Sequence, residues 1–378
     1  MTSADITYPG LLDRAVNAVG DLRAISVMRV LIGAVVIRHL WPALRAEDTA
    51  VERFHVLWWS WLPEPSPGTY RCLVWIGVAA GAAMILGVAA RAATAVALVT
   101  VSYLLFVDMT GFAHNRGYLV WILLGLTLSP PGPRLGAAHL RERRNNLAMA
   151  STGVIWPVLL LRIVASSVYL TSALTKLADP DWSGGLVLWD RVVRFQHEIP
   201  FDGWVQDVLT SRAFYRFMSP SAIFVELFIG LGVWFPRTRL SAIWVAIVFH
   251  SSIEVMASVQ TFSYTAIAAL LIWVTPSERD RQVLNCSPTL ARLIRYLDWL
   301  HRFSVHSVAA TQSEVVGQSD AILLIDRDGT RREGADAELT VLSRLPLLFP
   351  FAAPLLAMHR YHSRGPRDRG LERTRHSG

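Results

Sequence analysis

The sequence predicts an all-α fold: a polytopic transmembrane bundle of about eight helices with a small cytoplasmic C-terminal extension. Three observations lead there. Of 378 residues, 53% are hydrophobic and 17% charged, which is too apolar for an ordinary soluble domain. Several apolar runs reach the ~20 residues needed to cross ~30 Å of hydrocarbon. The runs are continuous rather than alternating, which argues against a membrane β-barrel. The arginines scatter over loops and tail, so the net charge of +7 reads as topology; the expected partner is the lipid bilayer and not nucleic acid.

Residues 1–24 read as an amphipathic lead, with Leu11, Leu12, Ala15, Val16 and Val19 on one face and Asp13 and Arg14 opposite. Asp5, Asp13 and Asp21 interrupt any cleavable-signal pattern, so the first apolar run is read as a retained span. The spans fall at about 25–44, 70–89, 92–109, 113–129, 152–176, 217–235, 239–257 and 260–275, the last stopped by Pro276. Arginines cluster after the second, fourth, sixth and eighth spans (Arg91; Arg134, Arg141, Arg143 and Arg144; Arg237 and Arg239; Arg279 and Arg281). The positive-inside rule then puts both termini in the cytoplasm, across a plasma (inner) membrane. The long connections 45–69 and 177–216 lie outside. They carry Trp58, Trp59, Trp61, Trp182, Trp189 and Trp204, which suit the membrane interface.

Residues 278–304 are expected to hold an amphipathic interfacial helix. Ser287-Pro288 starts it, and Leu290, Leu293, Ile294, Leu297 and Leu300 form its stripe. Residues 321–330 read as a strand into an Asp328-Gly329 turn, and 335–345 as a short helix. Residues 363–378 read as a basic disordered tail. Cys72 and Cys286 show neither metal-ligand nor CxxC spacing, so no disulfide and no metal site is expected.

Lys176 is the only lysine in a chain whose Lys and Arg total 36. Arginine stays protonated, whereas a desolvated lysine can lose its proton and act as a base. Lys176 ends the fifth span. Arg162, Ser166, Tyr169, Ala173 and Lys176 recur at helical spacing and put a guanidinium, a phenol and an amine on one face. Ionisable groups within spans are expensive and often functional. Glu226 lies mid-way through the sixth span, with Arg29 or Arg162 as structural ion-pair partners to weigh. His250 and Glu254 share a face of the seventh.

These residues resemble the HTTM (horizontally transferred transmembrane), or vitamin K-dependent gamma-carboxylase-like, family. The resemblance covers roughly 22–277. It rests on Tyr169 through Lys176-Leu177, then Asp181-Trp182-Ser183-Gly184-Gly185; on Asn115-Arg116-Gly117-Tyr118-Leu119; and on the succession Glu226, Arg237, Arg239, His250 and Phe262-Ser263. It implies that Lys176 matches the base that deprotonates vitamin K hydroquinone before glutamate is carboxylated. A reduced isoprenoid quinone is then the implied cofactor, and Arg162, Tyr169, Asn115, Arg116, Glu226, His250 and Trp182 the implied pocket. The family's histidine after Asn115 is here Arg116, with His114 out of register. Residues 305–362, from Ile325-Asp326-Arg327-Asp328-Gly329 onward, are similar to the second half of a DCC thiol–disulfide oxidoreductase-like domain, as a degenerate remnant without paired cysteines. A non-catalytic membrane scaffold and, third, a small-solute transporter are the alternatives to the enzyme.

Overall fold

The computed structural model describes residues 17–45, 56–109, 112–132, 152–194, 201–257, 259, 261–274, 281–284, 286–300, 302–306, 322–326 and 328–363. The chain divides into two compact units, Met1–Thr275 and Pro276–Gly378.

The first unit is a helical bundle. Strand β1 (Val19–Asp21) pairs antiparallel with β2 (Thr152–Val154), Val19 opposite Val154. Residues 19–21, expected inside an amphipathic helix, are therefore strand; that lead's residues up to 16 lie outside the described ones. Helix α1 (Arg23–Arg45) begins where the Asp21 carboxylate accepts from the Arg23 backbone N–H at 2.9 Å, meeting an N–H that the helix itself leaves unpaired. Helix α2 (Pro67–Leu86) is capped by the Ser66 hydroxyl, which accepts from Thr69 N–H, and ends on Gly87 at φ +71°. The two helices touch backbone to backbone. A Cβ on Gly33 would sit 2.7 Å from the Gly81 carbonyl oxygen, and one on Gly81 would sit 2.9 Å from that of Gly33.

Helix α3 (Ala90–Phe106) follows, then α4 (His114–Leu128), which stops at Ser129-Pro130-Pro131. Next come α5 (Trp156–Ala178), three short helices α6 (Pro180–Ser183), α7 (Leu186–Arg194) and α8 (Trp204–Thr210), then α9 (Arg212–Gly232) and α10 (Arg239–Ala257). Helix α11 (Thr261–Ala269) tightens into a 3-10 turn, Leu270–Trp273. Each interval read as a span holds a helix, but 152–154, expected at the start of the fifth, is strand β2. Among the described residues, five helices are long and apolar enough to cross a membrane: Arg23–Leu44, Pro67–Leu86, Trp156–Ala178, Arg212–Gly232 and Arg239–Met256. The apolar stretch Thr261–Trp273 is shorter; at ~1.5 Å per residue it covers about 20 Å of a ~30 Å core.

The connection after α5 folds back on α9. The Trp189 indole N–H donates to the Thr210 carbonyl at 2.7 Å. Gly185, at φ +80°, lies against the Tyr215 backbone, where a Cβ would come within 2.4 Å of the carbonyl oxygen. That contact fixes the turn that carries Trp182.

The second unit is a four-stranded sheet with helices. Strand β3 (Arg281–Leu284) leads to α12 (Pro288–Leu297) and β4 (Phe303–His306); β5 (Leu323–Ile325) and β6 (Arg331–Glu333) form a hairpin through Asp328-Gly329. The order is β4-β3-β5-β6, with β3 and β4 parallel and the other pairs antiparallel. Helices α13 (Gly334–Leu342) and α14 (Phe349–Ser363) complete it. Two expectations are corrected here. The apolar stripe of 287–304 does not lie open for a membrane surface: Ala291 and Ile294 are buried with Val283, Leu324, Ala337 and Val341, and Leu290 and Leu297 pack beside them. A residue-304 boundary therefore cuts through one sheet. Residue 363, expected as the first of the tail, is helical; the rest of the expected tail, 364–378, lies outside the described residues. Asp326 ties the strands: Arg281 of β3 approaches it to 2.9 Å and Arg332 of β6 to 3.1 Å.

Candidate functional site in the helical bundle

The face predicted for α5 is the face it buries, with Leu161, Ala165, Ser166, Tyr169 and Ala173 inside. It packs on α9 by a close approach. The Ser166 hydroxyl donates to the Gly230 carbonyl at 2.7 Å and accepts from the Trp234 indole N–H at 2.9 Å. Gly230 permits this, because a Cβ there would meet Leu170 at 2.7 Å. The helices run antiparallel: Ser166 meets Gly230, and two to three turns on, Lys176 meets Glu226.

That meeting is the centre of the site. Lys176 Nζ donates to Glu226 Oε1 at 2.5 Å, and the Ser172 hydroxyl donates to the same oxygen at 3.2 Å. Glu226 is 7% exposed at its side chain and Lys176 17%, so the carboxylate is enclosed while the amine keeps an opening. Over that amine lies the Trp182 ring, its centroid 4.7 Å from Nζ, a cation–π contact. Glu226 Oε2 is buried and has no hydrogen-bond partner among the described residues. An enclosed carboxylate oxygen without a donor is costly.

Two turns earlier on α5, the Tyr169 hydroxyl lies 2.7 Å from His250 Nε2 of α10, both buried. The histidine tautomer decides which of the two donates. Phe262 of α11 packs edge-on against the His250 ring at 5.4 Å and reaches the Tyr118 ring of α4 at 5.7 Å. Tyr169 is within electrostatic range of Glu226 and Tyr118, and His250 of Lys176. Five helices, α4, α5, α9, α10 and α11, therefore converge on two polar pairs. His250 Nδ1, the Tyr118 hydroxyl, Asn115 Oδ1 and the Ser263 hydroxyl are buried with no hydrogen-bond partner among the described residues.

The family model of the HTTM domain matches residues 17–277. The chain belongs to the HTTM family. No curated protein and no solved structure matches it. The HTTM match takes in every helix of the bundle and both polar pairs.

Within the HTTM domain, the expected site residues separate into two groups. Lys176, Glu226, Trp182, Tyr169 and His250 come together. Arg162 does not: it lies nearly four turns from Lys176 along α5, where its Nε and Nη2 donate to the Ile272 carbonyl at 3.1 and 3.0 Å and its guanidinium faces the Trp273 ring. It closes the end of α11. Asn115 stands in the first turn of α4 and Arg116 beside it is exposed, within electrostatic range of His39. Neither ion pair weighed for Glu226 forms. Arg29 instead donates to the Pro131 carbonyl at the end of α4. His250 and Glu254 share a helix face but not a partner, since Glu254 hydrogen-bonds Tyr264. Ser172 had a signal, a hydroxyl four residues before the lysine, which places it on the face turned to Glu226.

Proposed function

We propose that this HTTM domain performs proton transfer on a reduced isoprenoid quinone, with Lys176 as the base. The observation that carries the reading is the Lys176–Glu226 contact: a partly open amine held at 2.5 Å by an enclosed carboxylate, under a tryptophan ring. A separation this short lets the proton pass between Nζ and Oε1 with little motion. Glu226 can then hold the proton as a neutral acid while Lys176 offers a lone pair; when Nζ takes a proton from a bound O–H group, the ligand's oxyanion balances the ammonium until Glu226 releases its own proton. Ser172 orients the carboxylate. Tyr169 and His250 extend the polar line away from the amine.

The residues present fit such a ligand. The unpartnered Glu226 Oε2, His250 Nδ1 and Tyr118 hydroxyl offer both donors and acceptors, and Trp182 offers an apolar wall. When bound, the quinol supplies an acidic O–H and reducing electrons. The finer reading is gamma-carboxylase-like, with glutamate carboxylation or a related reaction downstream, in a domain of about eight spans with both termini cytoplasmic in the plasma membrane. The second unit's β-α-β and β-β-α halves on one sheet support a DCC-type, thioredoxin-like reading of Pro276–Gly378. It holds a single cysteine, Cys286, whose thiol burial pushes up, and a dithiol cycle needs a lowered thiol and a second sulfur.

A scaffold reading has its own support. Ser166–Gly230, Trp234–Ser166 and Lys176–Glu226 all cross the α5–α9 seam, as bolts would. Quinol-dependent oxygen uptake by the protein in nanodiscs separates the two. The base reading requires uptake by the wild-type chain that Lys176→Met abolishes; a folded wild-type chain that neither binds nor consumes quinol leaves only the bolt.

A further inference from the structure

Helix α14 carries an exposed apolar face. Phe351 is 72% exposed, Leu355 53%, Met358 58% and Tyr361 61%. Their spacing of four, three and three puts them on one side of the helix, and Leu347 in the preceding turn extends the strip. The opposite side is firmly held. Ala352 is buried, and Arg360 donates to the Asp336 carboxylate at 2.8 Å and to the Thr340 hydroxyl at 2.9 Å on α13. The open face is thus presented by a helix anchored from behind.

We infer that α14 is a membrane-surface anchor whose open face seats in the headgroup–acyl boundary of an anionic leaflet. Three observations select lipid as the occupant. First, only seven residues, 274–280, lie in sequence between the last apolar helix of the bundle and β3, so this unit is covalently part of a membrane protein. Second, the apolar strip runs into basic sequence: Arg364, Arg367, Arg369, Arg373 and Arg375 follow the helix against only Asp368 and Glu372. Apolar insertion followed by a polybasic stretch is the combination that binds anionic lipid. Third, the strip mixes Phe, Leu, Met and Tyr, with the tyrosine at the basic end, where an amphipathic ring meets the headgroups. The helix has 15 residues and ends in His359, Arg360 and His362, so it suits lying on a membrane rather than crossing one. The stripe of α12, which the sequence offers for this role, is spent on the unit's own core.

The test uses the full chain in nanodiscs. Met358→Cys in a Cys72→Ser background is labelled with an environment-sensitive fluorophore; Cys286 is buried. Discs contain phosphatidylcholine alone or with phosphatidylglycerol. The inference expects quenching by doxyl-labelled acyl chains, stronger in the phosphatidylglycerol discs, and loss of that quenching in Phe351→Glu/Leu355→Glu, whose changes fall on exposed positions. Emission quenched only by aqueous iodide in both discs would overturn it. So would a label shielded from both quenchers together with cross-links between copies, which would assign the face to a second copy of the chain.

Discussion

Lys176→Met strands the Glu226 carboxylate, and its cost follows from the geometry. The mutation leaves Ser172, at 3.2 Å, as the only hydrogen-bond donor to Oε1 among the described residues, and Oε2 has none. Removing one partner of a buried pair costs about 3–5 kcal/mol. The 17% exposure of the lysine leaves the gap partly open, which places the expected loss at the low end, about 3 kcal/mol. Glu226→Gln is milder, at about 1–2 kcal/mol, because the stranded ammonium keeps its opening, the Trp182 ring and a neutral amide oxygen. Lys176→Met/Glu226→Gln removes both charges and should fall within about 1 kcal/mol of wild type. The coupling between the two sites is then at least ~2 kcal/mol. Equilibrium unfolding in a mild detergent, read by far-ultraviolet circular dichroism, measures all four corners of the cycle. Single substitutions that each cost under about 0.5 kcal/mol and simply add would refute the pairing as a desolvated contact.

Four further outcomes are expected. Tyr169→Phe leaves His250 Nε2 without its 2.7 Å partner and should lower stability by about 1–3 kcal/mol, measured in the same unfolding assay. Arg162→Lys loses the two-pronged hold on the Ile272 carbonyl and should destabilise by about 1–2 kcal/mol, while quinol affinity, read by tryptophan quenching, stays unchanged. Gly81→Val forces α1 and α2 apart, since a Cβ there already meets the Gly33 carbonyl oxygen at 2.9 Å; loss of folded protein on size exclusion is the expected result. Asp336→Asn removes the carboxylate that Arg360 and then Arg332 hold below its ordinary value, at a cost of about 1 kcal/mol to the second unit near neutral pH. The stabilisation of a carboxylate depressed on folding is complete above its unfolded value near 3.9 and fades as pH falls through the lower folded value, so wild type and variant should converge in acid.

The bundle was legible because its helices are written as long apolar runs, and membrane helices must satisfy their backbone internally. The face of α5 was legible for the same reason: a 3.6-residue period places Tyr169, Ala173 and Lys176 together whatever surrounds them. The partner of Glu226 was not. Period gives direction around a helix, but which depth of α9 meets which depth of α5 depends on the close approach at Gly230, a long-range contact. Direction alone also failed at α12, since an apolar stripe fits a sheet as well as a lipid surface. Helix α14 stayed hidden behind Pro350 and Pro354. The first falls in the opening turn, where a missing N–H is harmless, and the second is tolerated by packing of Ala352 and the Arg360–Asp336 pair.

The central claim, that Lys176 is a base and not only a bolt, is tested most directly by Lys176→Arg. Arginine keeps the charge and can still pair with Glu226, but it does not give up its proton. The measurement is quinol-dependent oxygen uptake in nanodiscs, alongside the unfolding midpoint. The account predicts a midpoint close to wild type with turnover lost by at least ~100-fold. Turnover at the wild-type rate from Lys176→Arg would contradict it.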